Sequence, residues 1–334
     1  MYYEPYKRRG RGRGEERERR AGCGVRALGF VFRLAFKLLI LALILAVIAY
    51  ALPPALFNVE PQTDLNISSG LPDSHVNILV LGIDADRGNA QRSDTMMILS
   101  VGYGSVKLTS ILRDTLVDIE GHGSGKINGA YAYGGAELAM RTVNATFDMN
   151  ITKYVVVDYL TLSRLVDAVG GIDLVISEAE MGQVNANNAR YAGSTFIESE
   201  LGYMPRQLTE YSQDGETPVH LDGLQALGYA RIRKLDSDFM RTSRQRKVVS
   251  AVLDAVRAQL WNPLMYARLI DVLVNNVQTN MGAVEIASLG MKALVHGEID
   301  QLRIPVDGSY SDNGSSISID AEANAQALRE FIYG

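Results

Sequence analysis

The chain has 334 residues, 47% apolar and 21% charged, the balance of a folded globular protein with room for one large domain or two small ones. Its net charge of −5 is uneven: the first 26 residues carry nine Lys and Arg against four Glu, so the remainder is clearly acidic. An acidic main domain lacks the basic footprint of nucleic-acid binders, and a lone cysteine, Cys23, excludes an intrachain disulfide.

Residues 1–26 are poor in apolar side chains and are expected to form a basic disordered tail. Its Arg-Gly repeats suit either RNA or a topology signal. The position just before an apolar run favours the signal. That run, 27–52, reads as a transmembrane helix. Arg33 and Lys37 lie near one end and can snorkel to headgroups, and Pro53-Pro54 stops the helix. No small-x-small cleavage site follows the apolar core, so a retained anchor is expected rather than a cleaved signal peptide. The basic flank comes first, which places the N-terminus in the cytoplasm and everything after Pro53 outside. Cys23 then lies on the cytoplasmic side as an unmodified thiol. Residues 53–74 read as a linker, and 75–334 as the extracytoplasmic domain.

In that domain, 75–82 is an almost unbroken apolar run of strand length, suited to a central buried strand. It ends at Asp84, which either closes the strand as an Asx turn or faces a ligand outside the carboxyl ends of the sheet. Residues 96–103 and 106–112 predict a hairpin. Matched strand lengths bring Arg92 and Asp94 beside Arg113 and Asp114. These pairs are either surface salt bridges or a metal–pyrophosphate site, with carboxylates for a hard cation and arginines for phosphate oxygens. Gly134-Gly135 is expected to open a helix over 136–147. A strand at 152–159, a helix at 160–169 stopped by Gly170-Gly171, and a strand at 172–176 follow. Alternating strands and helices argue for an α/β fold. Residues 177–220 are polar and turn-rich, and read as a long loop serving as a lid or insertion. Asp222 is a candidate cap for a short helix over 221–227. Further helices are expected at 261–274 and 283–295, and strands at 302–306 and 316–319. Asp320 can cap a last helix ending near Tyr333.

The run from Tyr229 to Gln245 is the richest in chemistry. Arg231 and Arg233 sit two apart, the spacing of one face of a strand. Arg241 and Gln245 sit four apart, one face of a helix whose stripe continues with Val248, Val252 and Val256. The polar part of that face falls at the helix N-terminus, where backbone N–H groups favour an anion and arginine forks match phosphate oxygens. Taken alone, the run is either a phosphate site or a solvated arginine-rich loop.

Together these pieces resemble the LytR-CpsA-Psr family. The resemblance rests on Asn77-Ile-Leu-Val-Leu-Gly-Ile-Asp84, Arg92-Ser-Asp-Thr-Met-Met97, Leu112-Arg-Asp-Thr115, Lys126-Ile-Asn-Gly-Ala-Tyr131 with Gly134-Gly135, Val169-Gly-Gly-Ile-Asp173, Leu221-Asp-Gly-Leu-Gln-Ala-Leu227 and the Tyr229–Gln245 run, in family order from residue 77 to 245. Many members have Pro where this chain has Leu112.

The resemblance implies an α/β fold: a mixed central sheet flanked by helices in three layers, with an apolar cleft for a lipid, behind one N-terminal transmembrane helix. It implies a magnesium-dependent transferase, with manganese as a substitute ion. Such an enzyme moves an anionic glycopolymer, a teichoic acid or capsule, from a polyprenyl-pyrophosphate carrier to a peptidoglycan hydroxyl. Asp84 and Asp94 match the metal carboxylates. Arg113, Arg231, Arg233 and Arg241 match the pyrophosphate contacts, with Arg92 and Gln245 in support. Asp114 matches a support for Arg113. Asp84, Asp94, Arg113, Arg233 and Arg241 form the implied catalytic set. Rival readings are a lipid-pyrophosphate hydrolase or binding protein, and a membrane-bound transcriptional attenuator, which the topology disfavours.

Overall fold

The computed structural model describes residues 64–84, 92–102, 104–295 and 298–334. The expected tail, the expected span and residues 53–63 of the linker lie outside them. Among the described residues no helix is long and apolar enough to cross a membrane.

In chain order, β1 (His75–Ile83), β2 (Ser93–Gly102) and β3 (Val106–Ile111) are followed by a small ribbon of β4 (Leu116–Ile119) and β5 (Gly123–Lys126). Then come α1 (Gly129–Phe147), β6 (Lys153–Asp158), α2 (Tyr159–Ala168), β7 (Ile172–Leu174), α3 (Glu178–Asn188), α4 (Thr195–Leu201) and β8 (Val219–Leu221). The chain continues with α5 (Gly223–Ala230), α6 (Asp238–Ala258), α7 (Pro263–Asn276), β9 (Gln278–Thr279), α8 (Ala283–Val295) and β10 (Ile299–Ile304). It closes with β11 (Tyr310–Asp312), β12 (Ile317–Ile319) and α9 (Ala321–Tyr333).

Six strands form a mixed sheet in the order β10-β3-β2-β1-β6-β9. The expected hairpin forms: β2 and β3 are antiparallel, with Met96 opposite Ile111. Strand β1 is central, antiparallel to β2 and parallel to β6. Because successive side chains alternate faces, Leu79, Leu81 and Ile83 pack with Met140, Val143 and Phe147 of α1 and with Leu328 and Ile332 of α9. The opposite face presents Ile78 to Met281 and Leu289 near and within α8. A further helical core joins Val166, Val184, Tyr229, Val248 and Met265 from α2, α3, α5, α6 and α7.

Several ends follow from side-chain caps. Asp158 accepts from the Thr161 N–H, Asp222 forms a capping box with Gln225, and Asp320 accepts from the Ala323 N–H. Sequence expectations need correction at three places. First, α1 begins at Gly129, and Gly134-Gly135 kink it rather than open it, Gly135 having φ 64. Second, 177–220 is not a structureless loop: Ser177 and Glu180 form a capping box that starts α3, and Ser194 caps α4. Third, the strand expected at 172–176 ends at Leu174, and it pairs with β8 alone. Leu65, in the segment read as linker, is 5% exposed and packs into the core, where its carbonyl accepts from Asn144 Nδ2 at 2.8 Å.

Candidate active site

Strands β1 and β6 run parallel, so their carboxyl ends share one edge, where Ile83 stands opposite Asp158. The register of β1 against β2 slips between Gly82 and Ile83, next to Asp84. Gly82 is required there, since a Cβ would stand 2.9 Å from Thr95 Cβ. Asp84 at the end of β1 and Asp94 in β2 are both buried, at 6% and 7% exposure.

Asp94 is the hub. Its Oδ1 accepts from Arg113 Nη1 at 2.6 Å, while its Oδ2 accepts from Arg233 Nη2 at 3.0 Å and from the Tyr159 hydroxyl at 3.2 Å. Its backbone carbonyl accepts from Arg241 Nη2 at 3.2 Å. Arg241 is 2% exposed and anchored by Asp238, three residues earlier, at 2.9 Å. Arg113 also approaches Asp238 at 3.6 Å and Asp114 at 3.5 Å. Asp114 in turn is held by Lys126 at 2.7 Å, so it steadies the arginine. Arg231 ends α5. Its guanidinium lies 4.0 Å from Asp84 Oδ2, bonds the Tyr191 hydroxyl and stacks 4.3 Å from the Tyr159 ring centroid.

These contacts set the charges. Burial raises the Asp94 carboxyl, but Arg113, Arg233 and Arg241 together bring it below the usual carboxylate value. Burial weakens the proton on Arg113, yet Asp238 and Asp94 more than restore it. At Arg241 burial prevails, with Arg113 and Arg233 adding to it, and the guanidinium is lowered from its ordinary value. Burial, with Asp94 nearby, pushes the Tyr159 phenol up to about 12, so it remains a donor at neutral pH.

Asp84, Arg92, Asp94, Arg113, Asp114, Asn128 and Arg233 line one open pocket of about 510 Å³. Of its three carboxylates Asp114 is tied to Lys126, and Asp84 and Asp94 beside three guanidinium groups suit a divalent cation shared with phosphate, since Mg²⁺ takes one or two carboxylates and completes its shell from substrate and water. Among the described residues no group of three His, Cys, Asp or Glu stands ready to cage a metal unaided. A second cavity of about 70 Å³ is mostly apolar and is lined by Val80, Gly82, Thr95, Met97, Leu162 and Val248 among others, with Tyr159 and Gln245 in its wall. Gln245 therefore lies by the apolar cavity, one turn beyond Arg241, and not in the charged pocket.

Sequence reasoning placed most of these residues and missed three. Asp238 carried a signal, its spacing of three from Arg241. Tyr159 follows directly on β6, whose parallel pairing with β1 brings it to the same edge. Tyr191 carried none, because the segment holding it lacks apolar periodicity.

The geometry can now be set beside known proteins. A family model, LytR_cpsA_psr, matches residues 55–331. The chain belongs to the LytR_cpsA_psr family. It is 36% identical over 216 residues to the polyisoprenyl-teichoic acid–peptidoglycan teichoic acid transferase TagU of Oceanobacillus iheyensis, a match covering 62% of this chain and 59% of TagU, less than two thirds of that relative. It is 28% identical over 270 residues to the regulatory protein MsrR of Staphylococcus aureus, covering 78% of this chain and 75% of MsrR. Among solved structures it shares its fold with TagT, a LytR-CPS2A-psr protein seen with bound octaprenyl pyrophosphate lipid, at TM-score 0.55 and 19% identity over 81% of this chain and 91% of TagT. TagT comes from B. subtilis. The mixed sheet between helices is the architecture of this family.

Proposed function

We propose that this protein transfers an anionic glycopolymer from a polyprenyl-pyrophosphate carrier to a hydroxyl of peptidoglycan, forming a phosphodiester and releasing polyprenyl phosphate. The observation that carries it is the pairing of two unlike compartments. Arg113, Arg233 and Arg241 converge on Asp94, and an apolar cavity opens at Thr95 and Tyr159 beside it. A pyrophosphate head matches the first compartment, and the small apolar second one suits the start of a prenyl chain. The relative named as a teichoic acid transferase supports the same reading.

In this mechanism the arginines bind and orient the pyrophosphate and balance charge that grows on the leaving phosphate. The acceptor oxygen attacks the sugar-proximal phosphorus in line, the bond from that phosphorus to the bridging oxygen breaks, and polyprenyl phosphate departs with the electron pair. One of the two pocket carboxylates, Asp84 or Asp94, takes the acceptor proton. Magnesium, held by Asp84 and Asp94, would supply further charge neutralisation on the phosphate oxygens. The segment 27–52 anchors the chain, with 1–26 in the cytoplasm and the domain outside. A reporter fused after Gly334 is then active only on the outer side.

The test uses the full chain in detergent with a polyprenyl-pyrophosphate glycan, peptidoglycan fragments and magnesium. Mass spectrometry should find glycan joined to peptidoglycan, lost on chelation and restored by magnesium, and lost by at least about 100-fold in Arg113→Ala. Free glycan phosphate alone would make the protein a hydrolase. Tight lipid binding without turnover would make it a lipid carrier.

A further inference from the structure

Arg231 stands apart from the arginines that meet on Asp94. Its ion pair with Asp84 is long, 4.0 Å, against 2.6 Å for Arg113 and 3.0 Å for Arg233 on Asp94. Two aromatic side chains hold it instead. The guanidinium lies 4.3 Å from the Tyr159 ring centroid and 5.8 Å from that of Tyr191, and it donates to the Tyr191 hydroxyl. A guanidinium held by phenol rings is fixed in direction and keeps its charge available to an anion, because a ring offers only a quadrupole. The Arg231 side chain is 27% exposed, so an anion can reach it. Tyr159 also donates to Asp94 Oδ2, which ties Arg231 to the rest of the site.

Tyr191 is carried to this place by the segment 177–220. It closes a single 3-10 turn, Ala189–Tyr191, directly after α3. The end of α3 is seated on α5, the helix that Arg231 terminates. Asn187 Nδ2 donates to the Gly228 carbonyl at 2.9 Å, and a Cβ on Gly228 would stand 2.7 Å from Asn188 Oδ1 and 3.2 Å from the Val184 carbonyl oxygen. Glycine permits that approach, and Tyr191, three residues past Asn188, then reaches the end of α5. Its ring packs against a cluster of Ile197, Leu224 and Leu227, which Tyr159 also borders. The Tyr191 carbonyl accepts from the Ser194 N–H at 3.0 Å. The side chain is therefore fixed at its root, at its ring and at its hydroxyl, as one that orients another must be.

We infer that Tyr191 is a positioning residue: with Tyr159 it holds Arg231 off Asp84 and toward a phosphate group of the ligand in the adjoining charged pocket. Through this side chain the segment 177–220 takes part in the site. Without the ring, the guanidinium can swing onto Asp84 at full hydrogen-bond distance, where carboxylate and arginine cancel each other's charge. The inference rests on the transferase reading, which supplies the pyrophosphate that Arg231 meets.

The test measures binding of inorganic pyrophosphate to the full chain in detergent and magnesium-free buffer, by titration calorimetry. Tyr191→Leu keeps the apolar packing and removes the ring and hydroxyl, while Tyr191→Phe keeps the ring. Each is also combined with Arg231→Ala. Arg231→Ala alone should weaken binding about tenfold, the loss of one charge-assisted hydrogen bond. Tyr191→Leu should weaken it about fivefold and Tyr191→Phe about twofold. In the Arg231→Ala background neither Tyr191 substitution should cause further loss, because the tyrosine acts through the arginine. A merely structural tyrosine would cost the same in both backgrounds, and that result overturns the inference. A folded Tyr191→Leu chain that binds as the parent does, or a parent that binds no pyrophosphate, also overturns it. If Tyr191→Leu does not fold, the Tyr191→Phe pair decides by the same comparison. A parent that binds pyrophosphate and joins no glycan to peptidoglycan removes the transferase reading, and the cycle still decides the role of Tyr191.

Discussion

Asp94 receives guanidinium groups from a hairpin end, a loop and a helix, three stretches far apart in sequence. Its carboxyl is depressed in the folded protein, so the stability it contributes is fully present above its unfolded value near 3.8 and is lost as pH falls through the depressed folded value. Replacing it as Asp94→Asn should flatten the acid limb of stability below about pH 4, and leave the slope between about pH 5 and 8 unchanged. Thermal unfolding across pH reads this directly. An unchanged acid limb would mean that the arginines do not hold Asp94 ionised. The meeting of Asp94 with Arg113 was legible, because a hairpin of matched strands places its two outer ends together. The destinations of Arg231 and Arg233 were not. Their spacing of two suggested one extended face, but α5 runs to Ala230 and its end turns Arg231 toward Asp84, while Arg233 reaches Asp94 from the loop beyond.

The helices α3 and α4 explain why 177–220 reads poorly. Only Val184 and Asn188 of α3 are buried, so the segment has no apolar stripe. The legible signal was the Ser177/Glu180 spacing of a capping box. What fastens α3 is charge: Arg244 of α6 has a side chain 4% exposed and pairs with Glu180 at 2.8 Å and with Asp236. Substituting Arg244→Ala strands two carboxylates and should cost about 3 kcal/mol in chemical denaturation. The same α6 carries Arg241, so transfer should fall along with stability. A stable Arg244→Ala protein would return 177–220 to the status of a detachable lid. Ser177→Ala, by contrast, should cost about 1 kcal/mol and leave transfer untouched.

The whole domain is organised so that one face of the central sheet is filled by α1 and α9, while the other is filled incompletely. Between β1, β2, α2 and α6 the apolar cavity remains. Enlarging a side chain in its wall, as in Val249→Trp, fills space that a prenyl chain would need. The expected result is a folded protein whose affinity for a long polyprenyl pyrophosphate drops about tenfold and whose affinity for inorganic pyrophosphate does not change. Equal loss of both ligands would show that the two compartments are not separable. The α/β class and nearly every helix after α4 were readable from periodicity and caps. The cavity was not, because it arises from where two layers fail to meet, and no single segment records that.

The bond between Asp94 and its arginines also works as a placeholder. The pocket carries its own exchangeable counter-ion, so a ligand enters by displacing a carboxylate, and only a denser charge than that carboxylate wins the exchange. Asp94 regains these arginines each time a phosphate group departs, so the pocket never holds its guanidinium groups unneutralised. In magnesium-free buffer Asp94→Asn should tighten binding of inorganic pyrophosphate, at the expense of release.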